Sequence, residues 1–214
     1  MKILGIGCAL ILAAGVSADT IVYNNIVGNP PTNTGPGVQL SSSPSLFDSF
    51  TSNITGTLTD ISVVMSGIGN DGDFSLMLYA DNSGTPDTTT GTTLATFINQ
   101  DTAGAPVLFS CGDGTSCTLS ATPTLTANTR YWIGVSGTPD PNGLVMSWVQ
   151  ASPGVTDGEF NDNAGTINSN GPNAPPFLLE VSGTPSGVPE PTALISLMVG
   201  LAGLSFDRLR RARG

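Results

Sequence analysis

Two cysteines, two tryptophans and two oxygen-rich clusters are the side chains whose types and spacing bear on chemistry in this 214-residue chain. The chain has no His, which rules out Ser-His-Asp and Cys-His nucleophiles and any His-ligated zinc. Cys111 and Cys117 flank Gly-Asp-Gly-Thr-Ser. A thiol nucleophile would need a partner base, and a zinc ion would need two further soft ligands; the sequence supplies neither. In an exported chain, two cysteines facing each other across a Gly-rich turn are expected to form one disulfide that pins a hairpin.

The oxygen-rich clusters are Asn70-Asp71-Gly72-Asp73 and the run from Asp157 through Glu159 and Asn161 to Asn163. Calcium takes six to eight oxygens, several of them from carboxylates. Asp157, Glu159 and Asn161 sit at i, i+2 and i+4, like the first half of an EF-hand loop. The sixth position is Asp162 where Gly is required, and the twelfth is Asn168 where Glu is required, so an EF-hand is excluded. An irregular calcium loop and plain Asp-Gly and Asn-Asp turns both remain open. No metal site is assigned, and no cofactor is expected beyond that open calcium. Trp132 and Trp148 are the rings available to stack on a sugar; the alternative is that both pack the core. Paired carboxylates can hydrolyse glycosidic bonds, but nothing in the sequence brackets a substrate cleft. The expectation is a structural or binding module without catalysis; a secreted glycan-active hydrolase is the alternative.

Charge narrows the partners. Only 10% of residues are charged, against ~25% in an average soluble domain. Residues 19–187 hold fourteen acids and a single cation, Arg130, a net charge of −13. Nucleic acid is therefore not an expected partner, since no cations meet its phosphates. An uncharged or weakly charged glycan fits the balance better.

The two ends point to export. Residues 1–18 carry Lys2, then an apolar or Gly-containing stretch, then the small residues Val16-Ser17-Ala18, the pattern of a signal peptide cut by signal peptidase. Cys8 lacks the Leu usual three positions before a lipidated cysteine, so lipidation is not expected. At the other end, Val188-Pro189-Glu190-Pro191 is a stiff extended segment, because each Pro fixes its own φ and disfavours helix before it. Residues 192–206, TALISLMVGLAGLSF, carry no charge. As a helix they would span ~22 Å, short of the ~30 Å hydrocarbon core. Snorkelling arginines and local thinning shorten that gap. Arg208, Arg210, Arg211 and Arg213 follow, and the positive-inside rule keeps them cytoplasmic.

Pro189-Glu190-Pro191, a short apolar helix and an Arg-rich tail, in that order at the end of an exported chain, resemble the PEP-CTERM sorting signal over residues 188–214. The resemblance implies processing by exosortase, a membrane enzyme. It also implies an inner-membrane intermediate, then release or re-anchoring at the surface or in the matrix of a Gram-negative bacterium that makes exopolysaccharide. The expected organisation is a signal peptide at 1–18, an extracellular domain at 19–182, a linker at 183–187 and the sorting signal at 188–214.

The body must position whatever chemistry there is. It shows no 3.6-residue apolar period, but short period-2 runs recur between Gly, Pro, Asn and Asp. The clearest strands are 57–65, 73–80, 129–136, 144–149 and 177–182. Weaker ones are 20–27, 46–52, 92–98, 106–110 and 118–125, while 29–37 is expected to be a loop. Ten short strands predict an all-β antiparallel sandwich, jelly-roll-like. An up-and-down barrel or a Greek-key sandwich would pattern similarly. Leu78-Tyr79-Ala80-Asp81, Gly84-Thr85-Pro86 and the run from Leu125 to Trp132 are similar to the choice-of-anchor R type extracellular domains. That resemblance implies a surface module, not a reaction.

Overall fold

The computed structural model describes residues 18–41, 46–67, 70–102, 104–112, 115, 117–138 and 146–186. Asp19–Ser186 forms one compact unit. Residues 1–17 of the expected signal peptide, the Pro-Glu-Pro motif, the apolar run and the arginine tail lie outside the described residues. Within the unit the alternating runs become strands, and no helix occurs among the described residues. The thirteen strands are β1 (Thr20–Asn24), β2 (Thr34–Gln39), β3 (Leu46–Thr51), β4 (Gly56–Ser66), β5 (Asn70–Ala80), β6 (Thr92–Asp101) and β7 (Val107–Gly112), then β8 (Thr124–Leu125), β9 (Arg130–Thr138), β10 (Ser147–Ala151), β11 (Phe160–Asn163), β12 (Thr166–Ser169) and β13 (Leu179–Pro185).

They form two antiparallel sheets. The first runs β1-β13-β4-β10-β2, with β7 and β8 also on β4; the second runs β12-β11-β3-β9-β5-β6. In the first sheet β4 is the spine. Gly56 pairs with both Pro185 and Leu125, so β13 and β8 occupy its two opposite edges. Further along, β7 pairs with Asp60 to Met65, and β10 closes the far end at Met65 and Ser66.

The main core lies between the sheets. Ile61, Val63 and Met65 of β4, Phe74, Leu76 and Leu78 of β5, and Ile133 and Val135 of β9 all enter it, as period-2 alternation requires. Phe74 and Phe97 stack at 4.5 Å, and Trp148 stacks on Phe177 at 4.6 Å. Each sheet also covers part of its outer face. Val64, Val149, Ala151 and Leu178 cluster behind the first. Phe47, Tyr79 and Trp132 cluster behind the second, with Met77 and Phe160 packed against them.

The structure corrects three boundaries. Residues 29–37, expected as a loop, hand their last four residues to β2, an edge strand on β10. Gly35 allows this, because a Cβ there would run into the Ala151 carbonyl. Residues 118–125 yield only the two-residue β8. The expected linker 183–187 begins too early: Gly183, Thr184 and Pro185 continue β13 against Leu58, Thr57 and Gly56, and Ser186 N–H donates to the Thr55 carbonyl at 2.9 Å.

Candidate functional site

Strand alternation sets up the site. In β3, Leu46 and Phe50 face the main core, so Asp48 shares their side, while Phe47 and Ser49 face the opposite way. Asp48 is fully buried. Asn161 of β11 pairs with it across the sheet and is also buried. The chain before β11 brings in Asp157, and the chain after β12 brings in Asn170. Asn170 Nδ2 donates to Asp48 Oδ1 at 3.2 Å and contacts both Asp157 oxygens at 2.9 and 3.2 Å. Its Oδ1 accepts from Asn161 Nδ2 at 2.9 Å. From the first sheet, the Tyr23 hydroxyl of β1 donates to Asp157 Oδ2 and accepts from Asn25 Nδ2. Asp48 Oδ2 is buried and has no hydrogen-bond partner.

The electrostatics follow from this burial. Desolvation, reinforced by the Asp157 charge, holds the Asp48 carboxyl well above the usual carboxylate range. Burial, then the charges of Asp48 and Asp157, push the Tyr23 phenol far up, so it stays a neutral donor.

Glu159 belongs to a different face. Its Oε2 accepts from Ser49 Oγ at 2.9 Å and from Arg130 Nε at 3.2 Å. The Arg130 guanidinium also lies 4.6 Å from the Phe160 ring centroid. The sole cation of residues 19–187 is thus committed to Glu159 on the outer side of the second sheet. The Asp157 to Asn163 run is therefore not a loop wrapped round one point: Phe160–Asn163 is strand, and successive side chains diverge to opposite faces. Asp162 Oδ1 accepts from Gly165 N at 2.7 Å and closes the β11–β12 turn. Among the described residues, no three Cys, Asp or Glu side chains form a ready-made metal cluster.

The remaining sequence-derived candidates are placed as follows. Cys111 and Cys117 are joined in a disulfide across the end of β7. Trp132 and Trp148 are both 0% exposed, so neither ring can stack on a surface glycan; that expectation is overturned. Trp148 packs between the sheets and donates to the Leu178 carbonyl at 3.1 Å. Trp132 is covered on the outer face by Phe47 and Tyr79, and its Nε1 donates to Asp81 Oδ1 at 2.7 Å. Asp81 Oδ2 in turn accepts from Gly84 N at 3.1 Å, and Asp81 bridges to Pro86. The Tyr-Ala-Asp, Gly-Thr-Pro and Tyr-Trp segments therefore meet at one corner as structure.

Sequence reasoning missed Asp48, Tyr23 and Asn170. A signal for Asp48 was present: an acid sits at an inward position between Leu46 and Phe50 on a strand with an apolar face. No local signal marks Tyr23 or Asn170, which arrive from distant parts of the chain. No protein-family model, curated protein or solved structure matches this chain.

Proposed function

We propose that this protein is an exported, non-enzymatic surface or matrix component, delivered by a PEP-CTERM-type signal and processed by exosortase. The observation that carries the reading is the three-part tail: Pro189-Glu190-Pro191, the uncharged residues 192–206, and Arg208, Arg210, Arg211 and Arg213. Three features support it. A disulfide between Cys111 and Cys117 suits an oxidising compartment. The body is a two-sheet antiparallel β-sandwich, an architecture suited to an extracellular module. A net charge of −13 over residues 19–187 favours solubility and repels polyanions.

On this reading signal peptidase removes residues 1–18, the arginines hold the tail in the cytoplasm, and exosortase cuts near the motif. The product remains at the cell surface or in the exopolysaccharide matrix of a Gram-negative bacterium. Intact-mass measurement of the mature protein from an exosortase-bearing host tests it. The mature species should lack residues 1–18 and the arginine tail, and Glu190→Ala should leave uncleaved precursor in the membrane. Recovery of Arg208 to Arg213 in the mature species would sink the proposal.

A further inference from the structure

The polar cluster at β1, β3 and β11 has a charge problem that the protein does not solve. Asp48 and Asp157 face each other across one amide, Asn170 Nδ2, which brings two hydrogens to three carboxylate oxygens. The other donors to the pair are the Tyr23 hydroxyl and the Glu159 N–H group, both neutral. Arg130 is held by Glu159 and the Phe160 ring. Two formal negative charges therefore share a largely buried site with no formal positive charge. Such an arrangement is strongly unfavourable unless a proton or a cation neutralises it. One oxygen, Asp48 Oδ2, is fully buried with no partner. A buried polar atom left unsatisfied in a cluster of acceptors is what a missing ligand would explain.

We propose that Asp48, Asp157 and Asn170 hold a calcium ion. The donors are all oxygen: the Asp48 carboxylate with its free Oδ2, the Asp157 carboxylate, and the Asn170 carbonyl oxygen. The Asn170 amide nitrogen now stands where it bridges the two acids. Turning the amide over places its oxygen in that position, and the ion takes the role of the bridging N–H group. The turn gives up the hydrogen bond from Asn161 Nδ2 to Asn170 Oδ1, and Asn161 Nδ2 keeps the Ala174 and Pro175 carbonyls as acceptors. Hard oxygen donors arriving at irregular angles from three separated segments suit calcium, which accepts six to eight ligands in flexible geometry. Magnesium demands near-ideal octahedral geometry and sheds water reluctantly, so it should bind far less well. Two carboxylates and one amide point to an affinity in the range of extracellular modules, ~10⁻⁴–10⁻³ M. Binding would tie β1 of the first sheet, through Tyr23 and Asp157, to β3 and β11 of the second. This inference rests on the cluster's chemistry alone and is independent of the sorting proposal.

The test is calorimetric calcium titration and thermal unfolding of the full-length chain after chelation, with calcium or magnesium chloride added back. One equivalent of calcium should bind. At about a hundred times its Kd it should raise Tm by about 5–10 °C, with little response to magnesium. Asp48→Asn should weaken calcium binding at least ~10-fold, because a first-sphere carboxylate is lost. Should Asp48→Asn fail to fold, Asp157→Asn is read instead by the same titration. Asn170→Asp adds a third carboxylate: it should lower Tm in chelator and tighten calcium binding. A chelated wild type that binds no calcium at 5–10 mM (roughly tenfold above the weakest expected Kd) would overturn the proposal. So would undiminished calcium binding in both Asp48→Asn and Asp157→Asn. In the first case, an Asp48→Asn protein more stable than wild type would show that a proton neutralises the pair.

Discussion

Single side chains in this body do structural work where their types suggest binding. Trp132 is the clearest instance, since its indole is covered by Phe47 and Tyr79 and its N–H is spent on Asp81. Asp81→Ala should leave that buried N–H without a partner and cost about 1–3 kcal/mol, whereas Asp81→Asn keeps an acceptor oxygen and should cost less. Urea midpoints of the two variants, at unchanged slope, check this ordering. Acrylamide is the suitable quencher for the indoles, because a neutral probe is not repelled by the acidic body. Both tryptophans should resist it, and a steep quenching response would restore an exposed ring and the glycan contact it implies. The Cys111–Cys117 bridge has a similarly local role. By loop-closure arithmetic a ring this short stabilises by about 2 kcal/mol. Cys111→Ala should therefore lower Tm by several degrees without unfolding the sandwich. Thiol titration of the denatured, unreduced mature protein should find no free thiol.

At the scale of the elements, the long amphipathic strands were legible and the edges were not. Runs such as 57–65, 73–80 and 129–136 announce themselves because one sheet face meets the core and imposes period 2 on the apolar residues. β2 carries no such mark. Its sequence, TGPGVQ, lies at a sheet edge where Pro is tolerated and only Val38 packs on the core. What makes it a strand is close approach to β10, which no side-chain pattern reports. Gly35→Ala should force the Ala151 carbonyl aside and cost about 1–3 kcal/mol. Hydrogen exchange should then show lost protection in β2 and in β10 residues paired with it, with β4 and β13 unchanged. Equal loss across β4 would mean that β2 is not a separable edge. The polar cluster was half legible for a related reason. Asp157 and Asn161 stand in a visibly oxygen-rich run, and Asp48 breaks an inward apolar row. Their meeting with Tyr23 and Asn170 depends on pairings across |i−j| of 134 and 122, which only the fold reveals.

For the molecule as a whole, both ends of Asp19–Ser186 are woven into one sheet, and this decides where the domain can be cut. Among the described residues β1 pairs only with β13, and β13 pairs with the spine strand β4, so the first strand of the unit depends on the last. Beyond Ser182 the chain still supplies pairing for Leu58, Thr57 and Gly56, a hydrogen bond from Ser186 N to the Thr55 carbonyl at 2.9 Å, and one from Thr184 Oγ1 to Asp19 Oδ1 at 2.5 Å. Composition alone makes Gly-Thr-Pro-Ser-Gly look like linker, yet its first residues complete the sheet. A protein running from residue 19 to 186 should fold cooperatively, with near-ultraviolet circular dichroism from fixed tryptophans. Ending at Ser182 removes several sheet hydrogen bonds worth about 1 kcal/mol each, for a loss of roughly 2–4 kcal/mol. At this size that lowers Tm by roughly 5–15 °C. The loss should appear first as hydrogen exchange in β1 and in the Gly56 end of β4, since those groups lose their partners. Equal Tm values for the two lengths would mean that the pairing beyond Ser182 contributes nothing and that the domain ends where its composition suggests.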